Sequence, residues 1–157
     1  MRLSTPYWED VRQGDTLPLF VAPPITRRQL VMYAGASGDF NPIHYDDEEA
    51  KRQKLPGVIG HGMLSAAFVG QAVTRWMGYG GRLVRLWTRF AAMTRPGDPV
   101  TVHGEIVERE PREDGGWVKI ALKATVPRDG QELVVVVGEA EVLLPRKESE
   151  GRSNGRA

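Results

Sequence analysis

The chain contains no cysteine. That excludes a disulfide scaffold, a cysteine-ligated zinc site and a thiol nucleophile, and it fits a reducing compartment, so a cytoplasmic protein is expected. No apolar run approaches the roughly 20 residues that a membrane-crossing helix needs. The opening Met1-Arg2-Leu3-Ser4-Thr5-Pro6 has no apolar stretch of the secretion-signal kind. Neither charge is in excess, since 21 basic against 20 acidic side chains leave a formal net charge of +1. Nucleic acid and anionic membrane are therefore not expected partners. Internal repeats and low-complexity linkers are also missing, which argues against a repeat array.

What is present fits one domain: 157 residues, 41% of them hydrophobic, can bury a core without staples. Charge is uneven along the chain. Residues 146–157 (RKESEGRSNGRA) hold four basic and two acidic side chains and nothing large and apolar, which leaves 17 basic against 18 acidic in the rest. The expectation is a domain over residues 1–145 and a disordered polar C-terminal tail over 146–157.

Residues 16–22 read as a short strand interrupted by Pro18, hence an edge or a bulge. Thr26-Arg27-Arg28-Gln29 has the form of a capping box, and Leu30, Val31, Tyr33 and Ala34 supply the apolar stripe of a helix reaching about Ala36. Asp46 to Arg52 places acids before bases, as a short helix favours. Residues 62–77 (GMLSAAFVGQAVTRWM) are apolar on nearly every side and predict a buried helix with Met63, Trp76 and Met77 in the core. Residues 82–93, 99–109, 116–127 and 132–144 read as strands, and Asp114-Gly115-Gly116 and Arg128-Asp129-Gly130 as hairpin turns. The expected architecture is α+β, with a long helix on one face of a curved sheet whose last four strands form a meander.

The chemistry concentrates in Tyr33-Ala34-Gly35-Ala36-Ser37-Gly38-Asp39-Phe40-Asn41-Pro42-Ile43-His44-Tyr45-Asp46 and in Gly60-His61-Gly62-Met63. Asp39 and His44 lie five residues apart across a turn that Asn41-Pro42 folds back. A carboxylate and an imidazole brought together can share one water and pass protons both ways. Gly62 would present its N–H at the positive end of the buried helix, suited to a developing oxyanion. Each residue also has a plainer role. Asp39 and Asn41 are turn formers, His44 could be a hydrogen-bonded histidine, and His61 could cap the helix. His103 falls at a solvated strand position. The spacing of Asp39, His44 and Asp46 matches no zinc motif, so no metal is expected.

With Arg89-Phe90 and Pro96-Gly97-Asp98 added, these runs resemble the MaoC-like (R)-specific enoyl-CoA hydratases and (3R)-hydroxyacyl dehydratases over roughly residues 7–145. The resemblance implies a single hotdog domain, a long central helix wrapped by a curved antiparallel sheet. It carries the family's catalytic pair onto Asp39 and His44, its site-shaping Asn onto Asn41 and its oxyanion donor onto Gly62. Ser37, Ser65 and Arg89 become candidate substrate-binding residues. One departure stands out: some (R)-hydratases have Ser where this chain has Gly70. In that respect the chain is similar to the single-domain dehydratase subunits of mycobacterial type II fatty-acid elongation, which work in pairs.

The resemblance implies reversible hydration of trans-2-enoyl thioesters to (R)-3-hydroxyacyl thioesters. Coenzyme A or phosphopantetheine arrives on the substrate, acyl-CoA or acyl-carrier-protein, and no other cofactor is implied. The implied assembly is a homodimer or a heterodimer with a related hotdog subunit. Arg82, Arg85, Arg89 and Arg95 could meet the phosphates, or simply form a solvated strand face. The alternatives are a hotdog thioesterase, and an acyl-thioester-binding or partner-dependent subunit inactive alone.

Overall fold

A computed structural model describes residues 5–147 of the chain. A 3₁₀ turn at Trp8–Asp10 leads into β1 (Phe20–Val21), α1 (Arg27–Ser37), a second 3₁₀ turn (Pro42–His44), α2 (Asp47–Arg52) and the long α3 (Gly62–Met77). Four strands complete the order: β2 (Arg82–Phe90), β3 (Thr101–Arg112), β4 (Gly115–Arg128) and β5 (Gln131–Pro145). All five strands form one antiparallel sheet in the order β1-β3-β4-β5-β2, and α3 packs against β2, β3, β4 and β5. This is the α+β arrangement of one long helix held by one sheet.

Two strand pairings follow from local turn chemistry. β4 and β5 are joined by Asp129 and Gly130, both in the left-handed region at φ 52° and 77°, which suits a two-residue hairpin. β3 and β4 are joined by Glu113 and Asp114, neither of them in the left-handed region, so the turn lies earlier than the expected Asp114-Gly115-Gly116 and both glycines belong to β4. The expected meander of four strands is wrong at one end, because β2 pairs with β5 and not with β3. The reason is the connection: residues 91–100 carry the chain from one side of the sheet to the other, and β2 accordingly stops at Phe90 rather than residue 93. The early strand is also shorter than expected. Leu17 and Ala22 donate to β3 and its lead-in at 2.9 and 2.8 Å, and only Phe20 and Val21 lie in a strand ladder. Pro18, with no N–H, falls in the gap.

The core lies between α3 and the inner sheet face. Val118, Ile120, Leu122, Ala124 and Val126 of β4 are all buried, opposite Leu64, Phe68, Val69 and Val73 of α3. Each Val, Ile, Leu or Phe side chain among them contributes about 1.5–3 kcal/mol by leaving water. The helix is not covered on all sides. Met63, expected in the core, is 61% exposed, and Ala67, Gln71 and Thr74 continue that open face, because the sheet covers only one side of the helix. Val31 of α1 is also exposed, leaving Leu30 and Ala34 as that helix's buried positions.

Arg146 and Lys147, placed by charge pattern in the tail, lie against the first 3₁₀ turn: Lys147 N–H donates to Glu9 at 3.1 Å and its ammonium meets Asp10. The remainder of the expected tail, residues 148–157, lies outside the described residues.

Candidate active site

The site starts at the end of α1. Thr26 caps the helix by accepting the Gln29 N–H at 3.1 Å. At the other end Gly38, with φ 77°, turns the chain out and donates to the Ala34 carbonyl. From there short side chains hold the backbone step by step. The Ser37 hydroxyl donates to the Tyr33 carbonyl at 2.7 Å and accepts the Asp39 N–H at 3.2 Å. Asp39 Oδ1 accepts the Asn41 N–H at 3.2 Å, and Asn41 Oδ1 accepts the Ile43 N–H at 3.3 Å. Asn41 thereby caps the 3₁₀ turn that delivers His44.

His44 is buried, and its Nδ1 lies 2.9 Å from the Ile59 carbonyl. A carbonyl only accepts, so Nδ1 carries the proton and neutral His44 presents a bare Nε2. That nitrogen faces Asp39 Oδ2 at 3.8 Å. The gap is too long for a direct hydrogen bond and suits a water bonded to both. Asp39 is half exposed, so water reaches the pair from one side only.

The second chain segment closes the site. Gly60 N–H donates to the Thr94 carbonyl at 2.8 Å, and a Cβ at Gly60 would lie 2.2 Å from Thr94 Oγ1. Only glycine lets the chain pass so close. Gly62 opens α3, so its N–H is among those at the helix start that no carbonyl of the helix can take. A Cβ there would come within 3.3 Å of the Phe90 ring, which lies over this glycine. His44, Gly62, Ser65, Phe90, Met93 and Thr94 line a cavity of about 310 Å³. Ser65 and Thr94 are both buried, with hydroxyl oxygens 3.5 Å apart.

The structure therefore brings Asp39 to His44 and opens one cavity onto His44, Gly62 and Ser65. Ser37 and Asn41 shape the loop backbone and do not line that cavity. Arg89 is exposed on β2, beside the cavity residue Phe90 but outside the lining. His61 occupies the cap position of α3 without a capping bond from its side chain. Its ring instead stacks on His44, with centroids 3.8 Å apart. The sequence carried no local signal for that contact, nor for the roles of Phe90 and Thr94, which arrive from β2 and the crossover after it. Ligand atoms of Asp39, His44 and His61 lie within 4.8 Å of one another. The Ile59 and Asp39 carbonyls take the His44 Nδ1 and His61 Nε2 positions, which leaves His44 Nε2 and His61 Nδ1 as the bare nitrogens of this group. No helix among the described residues is long and apolar enough to cross a membrane.

Comparison with known proteins identifies the family. Residues 11–126 match the family described as MaoC like domain. The chain is 32% identical over 142 residues to the (R)-specific enoyl-CoA hydratase of Rhodospirillum rubrum, covering 90% of this chain and 93% of that protein. It is 33% identical over 143 residues to the 3-hydroxybutyryl-CoA dehydratase of Methylorubrum extorquens, covering 90% and 86%. Among solved structures, the unliganded R-hydratase PhaJ1 of Pseudomonas aeruginosa superposes with a TM-score of 0.77 at 29% identity, over 90% of this chain and 86% of that one.

Proposed function

The chain belongs to the MaoC-like domain family, a hotdog hydro-lyase by its relatives, and from that premise we propose that it reversibly hydrates trans-2-enoyl thioesters to (R)-3-hydroxyacyl thioesters. The observation that carries the proposal is Asp39 Oδ2 facing a bare His44 Nε2 at 3.8 Å, with His44 on the same cavity wall as the start of α3.

In this reading the thioester carbonyl accepts the Gly62 N–H at the positive end of α3, which draws electron density from C3. One such donor is worth about 3 kcal/mol of transition-state stabilisation. A water held between Asp39 and His44 attacks C3, and its proton passes to the pair. The C2=C3 π bond becomes a C2–H bond as the pair returns a proton to C2 from the same side. The reverse direction is dehydration. Every step moves a proton or water, so the chain needs no redox group or metal, and coenzyme A or phosphopantetheine enters only on the substrate.

We further read the working unit as two hotdog chains, identical or related. Among the described residues β2 is an edge strand, and Val84, Trp87 and Phe90 on it are roughly half exposed, an apolar edge of the kind that a second chain covers.

One assay with crotonyl-CoA tests the chemistry. Loss of the conjugated enoyl absorbance without release of free thiol is the expected result, whereas free thiol would identify a thioesterase. Asp39→Asn should keep the fold by circular dichroism and lower kcat by about 10²–10⁴-fold. A rate near that of the wild type removes Asp39 from the reaction. The sedimentation mass of the same preparation reads one chain or two.

A further inference from the structure

His61 is the buried ionisable group, among the described residues, to which the proposed chemistry assigns no task. It is 1% exposed. Its Nε2 lies 3.2 Å from the Asp39 carbonyl, which can only accept, so the proton sits on Nε2. Its Nδ1 is then a bare acceptor, buried with no hydrogen-bond partner among the described residues. An unpaired buried acceptor is costly, and an apolar ring would fill the space without that cost. What the imidazole supplies and an apolar ring cannot is the Nε2–H bond to Asp39.

The same ring lies flat on His44, centroids 3.8 Å apart and planes at 24°, while Tyr33 of α1 closes on it at 4.9 Å. His61 thus touches both members of the acid–base pair at once: the backbone of one and the ring face of the other. We infer that His61 is a positioning residue for the proposed hydration, a neutral Nε2–H imidazole that ties the Asp39 backbone to the His44 ring and holds carboxylate and imidazole at the spacing one water spans. This rests on the hydratase reading of the site.

The surroundings of His61 favour its uncharged form. The groups facing it are His44 from the 3₁₀ turn, Asp39 from the loop and Tyr33 from α1. Burial pushes its pKa below the ordinary histidine value, the bond to the Asp39 carbonyl opposes that, and His44 adds to the lowering. A second proton would have to go on Nδ1, where no acceptor waits.

Two variants and one measurement on the native protein test this. His61→Phe keeps a flat ring and deletes the donor. His61→Gln keeps an N–H able to reach the same carbonyl and deletes the ring. With crotonyl-CoA, His61→Phe should lower kcat by about tenfold to a hundredfold with KM little changed, and His61→Gln should recover most of the loss. Nitrogen-15 spectra of the native protein should show His61 as the Nε2–H tautomer at neutral pH, and the His44 ring signals should shift or broaden in His61→Phe. A native Nδ1–H tautomer overturns the inference, as does a His61→Phe enzyme with native kcat and unmoved His44 signals. Equal losses in both variants also overturn it, because they leave only packing. The tautomer is read without turnover, so failure of the hydratase reading leaves this test intact.

Discussion

Among the described residues, two histidine–carboxylate pairs lie at nearly the same distance. His44 and Asp39 approach to 3.8 Å, and His103 and Glu132 to 3.9 Å. The second pair even borders a roomier recess, about 440 Å³ against 310 Å³, lined by His103, Glu105 and Lys123. The difference lies in what holds each ring. His44 is buried, its Nδ1 is committed to the Ile59 carbonyl, and another imidazole covers one face. His103 is a third exposed on β3, and the nitrogen near Glu132 is the same one that approaches Thr125 Oγ1 at 3.5 Å. Among the described residues no carbonyl fixes its tautomer, and the recess beside it is lined by Thr16 and residues of β3 and β4 with no helix start. Separation and volume do not distinguish the two pairs; a fixed tautomer beside an N–H donor does.

Breaking the first pair should have the largest effect. His44→Ala should reduce hydration by about 10²–10⁴-fold in protein still folded by circular dichroism, and a loss below tenfold would put His44 in the same class as His103. A smaller effect is expected at Asp47, which supports the carbonyl that anchors His44. Its Oδ1 accepts the Val58 N–H at 3.0 Å, one residue before Ile59. That bond, helped by the Arg27 guanidinium, holds the Asp47 carboxyl below the usual aspartate value of 3.8. A depressed carboxylate stabilises the fold above its unfolded pKa and loses that contribution as pH falls through the folded value. The urea midpoint of the wild type should therefore exceed that of Asp47→Asn at neutral pH, with the gap closing below about pH 4. A gap constant down to pH 2 would show that the charge plays no part. The smallest effect belongs to the second pair: His103→Ala should leave turnover within about twofold, the range of ordinary surface substitutions.

How much of this was legible depended on the range of each signal. The bounds of α3 could be read because Gly62 and Gly78 bracket an apolar run, and the β4–β5 hairpin because Asp129-Gly130 suits a two-residue turn. The proximity of Asp39 and His44 was legible because five residues and a proline leave the loop few paths. The partner of β2 was not, since strand composition says nothing about which edge a chain reaches after a ten-residue crossover. The exposure of Met63 and Val31 escaped for a related reason: periodicity marks apolar faces, and only the finished packing shows which face is covered. The stacking of His61 on His44 joins two separate segments and leaves no mark in either.

The crossover has a consequence for the order in which the chain assembles. β3, β4 and β5 meet through two-residue turns, so their contacts close small loops and should form early. β2 must instead wait for β5, so that Phe90 meets Val136 only after β3 and β4 have been threaded between them in sequence. Phe90 and Thr94, which wall the cavity, ride on this late segment. The sheet is thus a fast-forming platform and the cavity its last addition. In pulsed hydrogen exchange during refolding, the ladder amides of β4 should gain protection before those of β2; simultaneous protection would mean that the two halves condense together.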